Sequence, residues 1–291
     1  MESEFIMLLL DFSGISIAPV AMGHVHSGDE NLIRHMILNS IRMYRQKFKD
    51  KYGEIVIVAD GGGNWRKEVY PEYKGKRRST REASKIDWAE AFRIINMVIQ
   101  ELKDEFPYKV IHQWGCEADD SIAELVHYTQ EFGNWEDVMI ISADKDFRQL
   151  QVFDNVDQFT PMFKKLIKED NPRGYLAEHI LKGDDGDGVP NALSDDDTFM
   201  VEGKRQNILS KKKKEALLAD PKALGEQVYR NYQRNRQMID LINPSTPDRI
   251  RKEIINSFES QDEGDKKGKV FPYLIKNNCR LLLENVKEFI D

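Results

Sequence analysis

Cysteine, histidine and long apolar runs are all scarce in this sequence, and each scarcity excludes a class of protein. Only two cysteines, Cys116 and Cys279, occur in 291 residues. That rules out a disulfide framework and fits a reducing cytoplasm. The one strongly apolar start, Phe5–Leu10, is six residues long and ends in Asp11. It is too short to span a bilayer and lacks the layout of a cleavable signal, so the expectation is a cytoplasmic chain with no membrane partner. His24 and His26 form a His-x-His with no Cys or His at zinc-site spacing, which argues against a zinc centre. No Ser, Cys or His is placed beside a base as a nucleophile, so no covalent intermediate is expected. Basic residues are also in deficit, with a net charge of −7, which at first speaks against a nucleic-acid partner. No internal repeat is visible.

What is present is an ordinary polar globular composition, 40% hydrophobic and 32% charged, long enough for one large domain with a smaller appendage. Phe5–Leu10 reads as a buried parallel strand, continuous rather than alternating. Helical spacing follows over 29–48, a second buried strand over Glu54–Ala59 and a helix over 87–105. A third strand at 108–111, a helix to about Phe132 and a fourth strand over Asp137–Ser142 complete the alternation, which predicts an α/β fold with a mostly parallel central sheet. Val156–Thr160 and Lys164–Ile167 suit a small hairpin. From Arg173 onward the patterns are helical, over 173–182, 190–200, 209–219, 222–241, 246–259 and 271–290. Residues 261–268 read as a mobile polar loop. The expected division is an α/β core over 1–180 and a smaller helical domain over 181–291.

The acids fall where such a sheet puts its ligands, outside the carboxyl ends of the strands. Asp11 ends the first strand, Asp60 the second, and Asp144 and Asp146 follow the fourth. Glu117, Asp119 and Asp120 open the helix after the third, and Asp184 and Asp187 lie in the glycine-bearing loop 181–190. So many converging carboxylates would repel one another without cations. Mg²⁺, which takes oxygen ligands and keeps much of its water, suits them, and two such ions about 4 Å apart can clamp both oxygens of a phosphodiester displacement. A calcium loop starting at Asp184 fails, because Gly186 and Gly188 would occupy ligand positions.

Positive charge is segregated rather than absent. Residues 64–85 hold eight basic side chains against three acidic ones, and residues 203–214 hold six, including Lys204 and Arg205, with no acid. Separate acidic and basic regions suit a protein that holds cations in one place and phosphates in another. Arg66 and Lys74, closest to Asp60 in sequence and anchored by aromatic neighbours, are the expected contacts to the scissile phosphate. Lys67, Tyr70, Tyr73 and Lys76 mix charge with ring faces for unstacked bases, while Arg77, Arg78 and Arg81 suit a mobile arm. Charge and missing apolar periodicity over 66–85 predict disorder without substrate. In the glycine loop, Lys182 with the backbone of Gly186 and Gly188 offers a further phosphate contact.

Taken in order, Asp11, Asp60, Glu117-Ala-Asp-Asp120, Ser142-Ala-Asp-Lys-Asp-Phe147 and Gly183-Asp-x-x-Asp187 resemble the acidic motifs of the 5′-nuclease (flap endonuclease) family. Trp65-Arg66 and Pro71-x-Tyr-Lys74 resemble its arch or bridge region, about 61–86. The length and closing helices are most similar to the bacteriophage ribonuclease H branch, which removes RNA primers from lagging-strand fragments. The resemblance implies a PIN-like core and a first ion held by Asp11, Asp60, Asp119 or Asp120, and Asp144, with Glu117 nearby. It implies a second ion on Asp146, Asp184 and Asp187, with Mn²⁺ able to replace Mg²⁺. It implies a helix-three-turn-helix element over about 180–205 that grips the duplex, a sliding clamp and a single-strand-binding protein as partners, and a monomer in the host cytoplasm if phage-encoded. Gly188 stands where the family often has Asn.

The expected activity is therefore 5′→3′ exonucleolytic or flap cleavage of RNA·DNA hybrid, duplex and 5′-flap DNA, with recognition by shape and backbone. Two alternatives stand beside it. A metal-dependent phosphohydrolase of small molecules lacks its usual Asp-x-Asp nucleophile here, since Phe12-Ser13 follows Asp11. A catalytically silent branched-DNA-binding protein would have lost acids that this chain retains.

Overall fold

The computed structural model describes residues 7–21, 28–131, 135–261 and 264–290. Phe5 and Ile6 of the expected first strand, the His24/His26 pair, the helix end at Phe132 and residues 262–263 lie outside the described residues.

Five parallel strands and one antiparallel edge strand form the sheet. They are β1 (Met7–Asp11), β2 (Glu54–Val58), β3 (Lys109–Ile111), β4 (Val138–Ile141), β5 (Val156–Thr160) and β6 (Lys165–Ile167), in spatial order β3-β2-β1-β4-β5-β6. Register runs Leu9 to Val56 on one side of β1 and Leu9 to Ile140 on the other, and only β5–β6 is antiparallel. Both sheet faces are covered, which is why the strands read as unbroken apolar runs. Leu8, Leu10, Ile55, Ile57 and Ile141 enter one core, while Met7, Leu9, Val56, Val58 and Ile140 enter the other.

Between β1 and β2 lie α1 (Phe12–Ala21) and α2 (Glu30–Phe48). The second starts at an Asp29 cap whose side chain accepts from Leu32 N at 3.0 Å, satisfying an otherwise orphan donor. Three helices separate β2 from β3: α3 (Arg66–Val69), α4 (Gly75–Glu82) and α5 (Trp88–Glu105), the last capped by Asp87. One face of α2 and of α5 packs in the first core. A single helix, α6 (Ala118–Glu131), returns from β3 to β4 on the opposite face. The winding direction thus reverses between β1 and β4, and a crevice opens there at the carboxyl ends of the strands.

A 3₁₀ turn (Lys145–Val152) follows β4, and the β5–β6 hairpin leads into α7 (Pro172–Lys182). The closing part contains α8 (Lys211–Ala219), α9 (Glu226–Ile239), α10 (Asp248–Glu259), a 3₁₀ turn (Gly264–Lys269), α11 (Val270–Lys276), α12 (Arg280–Leu283) and a last turn (Val286–Phe289). These elements pack against the sheet's own helices. Ile250, Ile254 and Phe258 of α10 join the core of α6, and Leu274, Leu282 and Phe289 join that of α2 and α5. Both cysteines are free and buried. No helix among the described residues is long and apolar enough to cross a membrane.

Four expectations need correction. Residues 190–200 form no helix, because their short polar side chains bond back to the chain. Asn191 Oδ1 accepts from Leu193 N at 3.0 Å and Ser194 Oγ at 2.9 Å, the competition that keeps such residues in turns. The helix expected over 271–290 breaks after Lys276, where Asn278 takes a left-handed φ of 55°, a usual way to end a helix. The polar loop holds a 3₁₀ turn over Gly264–Lys269. Finally, 66–85 is folded into α3 and α4, since Trp65, Tyr70 and Tyr73 are buried in the core with Ile180, Val189 and Met238.

Candidate functional site

Backbone direction brings the acids together. Asp11 is the last residue of β1, and its carboxylate accepts from Ser13 N at 3.1 Å and from Ser142 Oγ, beyond β4, at 2.7 Å. Asp60 follows β2 and reaches to both sides, accepting from Ser13 Oγ and from Ala118 N, each at 2.9 Å. Such close seating needs glycine at the next position. A Cβ on Gly61 would lie 1.7 Å from the Gln113 carbonyl oxygen.

The three acids opening α6 separate. Asp119 faces the crevice, where the charges of Asp144, Glu117 and Asp11 act on it. Asp120 points the other way. Its Oδ1 accepts from Trp65 Nε1 (3.2 Å) and Thr246 Oγ1 (2.9 Å), and its Oδ2 from Arg66 Nη1 (2.7 Å) and Glu117 N (3.0 Å). With four donors on a carboxylate that has no exposed surface, no lone pair is left for an ion, which corrects the expectation for Asp120. Arg66 changes role with it. Its guanidinium also donates to the Met238 carbonyl at 3.0 Å and its side chain is only 4% exposed, so it cannot meet a scissile phosphate.

Lys74 does enter the crevice. Its ammonium pairs with Glu117 and lies 3.5 Å from Asp187 Oδ1. Tyr73 Oη lies within hydrogen-bond reach of both acids, 2.7 Å from Glu117 and 2.8 Å from Asp187, with one proton to give to either, and Arg77 holds Asp187 at 2.7 Å. The Asp187 carboxylate therefore sits among cations, while its backbone N–H donates to Asp184 Oδ1 at 3.2 Å and keeps it next to the group formed by Asp146 and Asp184. In that group, His179 of α7 brings Nε2 within 2.9 Å of Asp146 Oδ1 and 3.6 Å of Asp184 Oδ2, and Lys145 lies 2.7 Å from Asp184. One ligand atom from each of Asp146, His179 and Asp184 lies within 4.8 Å of the others. His179 carried no sequence signal, because it lies outside every acidic motif and meets them only through the packing of α7.

Electrostatics separates carboxylates that want a cation from those that have one. Burial, then the Asp60 charge, pushes Asp11 up to about 6. Local desolvation in the crevice, then the Asp146 charge, pushes Asp144 to about 6, and desolvation with the Asp144 charge raises Asp119 well above the usual range. Glu117, despite burial, is held at about 2 by Lys74 and Arg66. Divalent cations fit the first set, where negative charge is crowded and uncompensated. They also fit the second, where Asp146 Oδ1 and His179 Nε2 are buried without a hydrogen-bond partner.

Of the residues expected to bind nucleic acid, Lys67, Lys76, Arg77, Arg81, Lys182 and Arg205 are exposed, and Lys204 is half-buried against Asp195 and Asp197. The side chain of Arg78 lies outside the described ones. The expectation for Tyr70 and Tyr73 is corrected, since each is 2% exposed and offers no ring face to a base. The backbone N–H groups of Gly186 and Gly188 are spent internally, on Asp184 Oδ1 at 2.8 Å and Asp185 O at 3.2 Å, so they do not cradle a phosphate. Lys211, Lys212 and Lys213, exposed in the first turn of α8, add a basic surface that the sequence showed only as a charge run.

Residues 23–178 match the family model of the 5′-3′ exonuclease N-terminal resolvase-like domain, and residues 175–289 match that of the T4 RNase H C-terminal region. A ribonuclease H of Enterobacteria phage T4 is 34% identical over 294 aligned positions, covering 97% of this chain and 95% of that protein. The flap endonuclease Xni of Shewanella denitrificans is 29% identical, over 62% of this chain and 71% of its own. The fold is shared with a bacteriophage T5 flap endonuclease solved with DNA and metal ions (TM-score 0.60, 18% identity, 87% of this chain and 99% of that one). A zinc-bound T5 5′-exonuclease gives a TM-score of 0.59 at 18% identity, over 86% and 98% of the two chains. Site, fold and sequence agree, and the chain belongs to the 5′→3′ exonuclease/flap endonuclease family, as a nuclease of the branch that includes phage T4 ribonuclease H.

Proposed function

We propose that the crevice between β1 and β4 is a two-ion centre for Mg²⁺, with Mn²⁺ as a substitute, that hydrolyses phosphodiesters near the 5′ end of RNA·DNA hybrid, duplex and 5′-flap DNA. Asp11, Asp60, Asp119 and Asp144 would hold one ion, with Glu117 beside them. Asp146 and Asp184 would hold the other, with Asp187 adjacent. Bound there, the ions supply an activated water and stabilise the leaving 3′ oxygen. Lys74, already inside the crevice, positions the scissile phosphate once Glu117 releases it.

The carrying observation is the crowding of Asp11, Asp119 and Asp144 at the sheet's switch point, each raised by local desolvation and by like charge. Residues 1–180 act as the nuclease core, with 61–86 bridging over the crevice. Residues 181–291 form the helical part, whose segment 180–205 and basic α8 grip the duplex backbone. Similarity to a phage ribonuclease H supports primer removal during lagging-strand synthesis; a monomer, in the host cytoplasm if phage-encoded and working with a sliding clamp and a single-strand-binding protein, would complete that role.

The test uses a 5′-labelled RNA·DNA duplex and a 5′-flap DNA, with Mg²⁺ or chelator, for wild type and Asp144→Asn. Short 5′-phosphorylated products that need the ion, and that the variant makes about 10²–10³-fold more slowly, are expected from losing several kcal/mol of charge stabilisation. Salt-sensitive binding without cleavage would favour a silent DNA-binding protein. Hydrolysis of small phosphoesters without duplex binding would favour a phosphohydrolase.

A further inference from the structure

The second acidic group has a member that oxygen-only chemistry does not require. His179 closes α7 with its ring 6% exposed and stacked on Tyr175, at 5.7 Å between centroids and 28° between planes. That stacking fixes the imidazole plane. Nε2 then projects between two carboxylates, 2.9 Å from Asp146 Oδ1 and 3.6 Å from Asp184 Oδ2. Yet neither Nε2 nor Asp146 Oδ1, both buried, has a hydrogen-bond partner, so the short contact is not an aligned hydrogen bond. A buried nitrogen and a buried oxygen left unsatisfied at such a distance cost free energy unless a third body lies between them. The three ligand atoms span no more than 4.8 Å, close to the spread of donors about 2.0–2.2 Å from one cation.

We propose that His179 ligates the ion of this group directly through Nε2, together with Asp146 and Asp184. Its nitrogen makes the position prefer Mn²⁺, Co²⁺ or Zn²⁺ over Mg²⁺. Mg²⁺ favours oxygen donors and retained water, whereas imidazole suits the later first-row ions. The inference rests on the reading of the crevice as an ion centre and adds the identity of one ligand and the selectivity it confers. Lys145 is part of the same device. Its ammonium lies 2.7 Å from Asp184 Oδ2 on a side chain that is 51% exposed, so it neutralises the carboxylate before an ion arrives and swings into solvent afterwards.

The experiment reads bound metal and not turnover. Mn²⁺ is titrated into the full chain by calorimetry, with Mg²⁺ as competitor, and pulsed electron paramagnetic resonance detects ¹⁴N coupling to the bound ion. Wild type, His179→Gln and Lys145→Ala are compared. Expected are ¹⁴N modulation in wild type, its loss in His179→Gln with Mn²⁺ binding about 10–100-fold weaker, and tighter binding in Lys145→Ala. A histidine that merely oriented Asp146 would change affinity without producing the nitrogen signal, so the wild-type spectrum decides even if a variant folds poorly. Mn²⁺ bound without ¹⁴N coupling, or coupling that survives in His179→Gln, overturns the inference and leaves the ion centre standing. No Mn²⁺ bound overturns both.

Discussion

Asp119 and Asp120 leave α6 about 100° apart around its axis, and that angle gives them opposite consequences for stability. Asp119 is half-buried beside carboxylates, and Asp120 is buried beside Arg66, Trp65 and Thr246. Asp120→Asn removes the nearest counter-charge of buried Arg66 and leaves it only Glu117, at 3.8 Å, and should destabilise by about 3–5 kcal/mol, read as a lower urea midpoint. Asp119→Asn removes a repelling charge, so the metal-free protein should gain stability while its divalent-ion affinity falls. Equal loss of stability in both variants would contradict this division. The sequence displayed the acidic cluster but not its partition, because the groups that claim Asp120 come from Trp65, Arg66 and Thr246, far away in the chain. For the same reason basic Arg66 read as a phosphate ligand when it is a buried clamp.

At the level of elements, apolar runs and helical spacing located β1–β5 and most long helices, because burial on the sheet faces writes an unambiguous pattern, while the exposed edge strand β6 read only as half of a hairpin. Short-range polar competition was harder to see, so 190–200 read as a helix, and 66–85 read as disorder because the residues that bury Trp65, Tyr70 and Tyr73 are distant in the chain. The turn joining α7 to the acidic loop shows how little sequence such geometry needs. Gly183 has φ 70° and ψ −170°, a region essentially restricted to glycine. A Cβ there would lie 2.3 Å from the Val189 carbonyl oxygen. Gly183→Ala should cost at least about 1–3 kcal/mol and loosen the bridge between Asp184 and Val189. The checks are limited proteolysis, which should now cut within 183–205, and weaker ion binding at Asp184. Unchanged protease resistance would show that the turn absorbs the methyl group.

Across the whole molecule, the acidic centre couples stability to pH. Asp11 and Asp144 are raised from the ordinary 3.8 to about 6, so between those values the folded state holds protons that the unfolded state has released. Their contribution is complete below about pH 4 and is lost as pH rises through about 6. A divalent ion binds the ionised, folded form and reverses the trend. Thermal melts should therefore show a larger Mg²⁺-induced rise in Tm at pH 7.5 than at pH 5, and equal rises would argue against crowded carboxylates as the ion's ligands.

The closing turn forms last in time as well as in sequence. Phe289 is fully buried against Phe106, its carbonyl accepts from Tyr108 Oη at 3.0 Å, and Glu288 pairs with Arg42 of α2. Strands β1–β4 and the crevice acids up to Asp146 are translated long before this clasp exists. A nascent chain on the ribosome thus carries most of its acidic centre while the side of α2 and α5 that this clasp covers is still open, and proteases and chaperones meet that unfinished surface first. Full stability, and with it a nuclease that holds its shape, arrives only when the residues around Phe289 have emerged and docked.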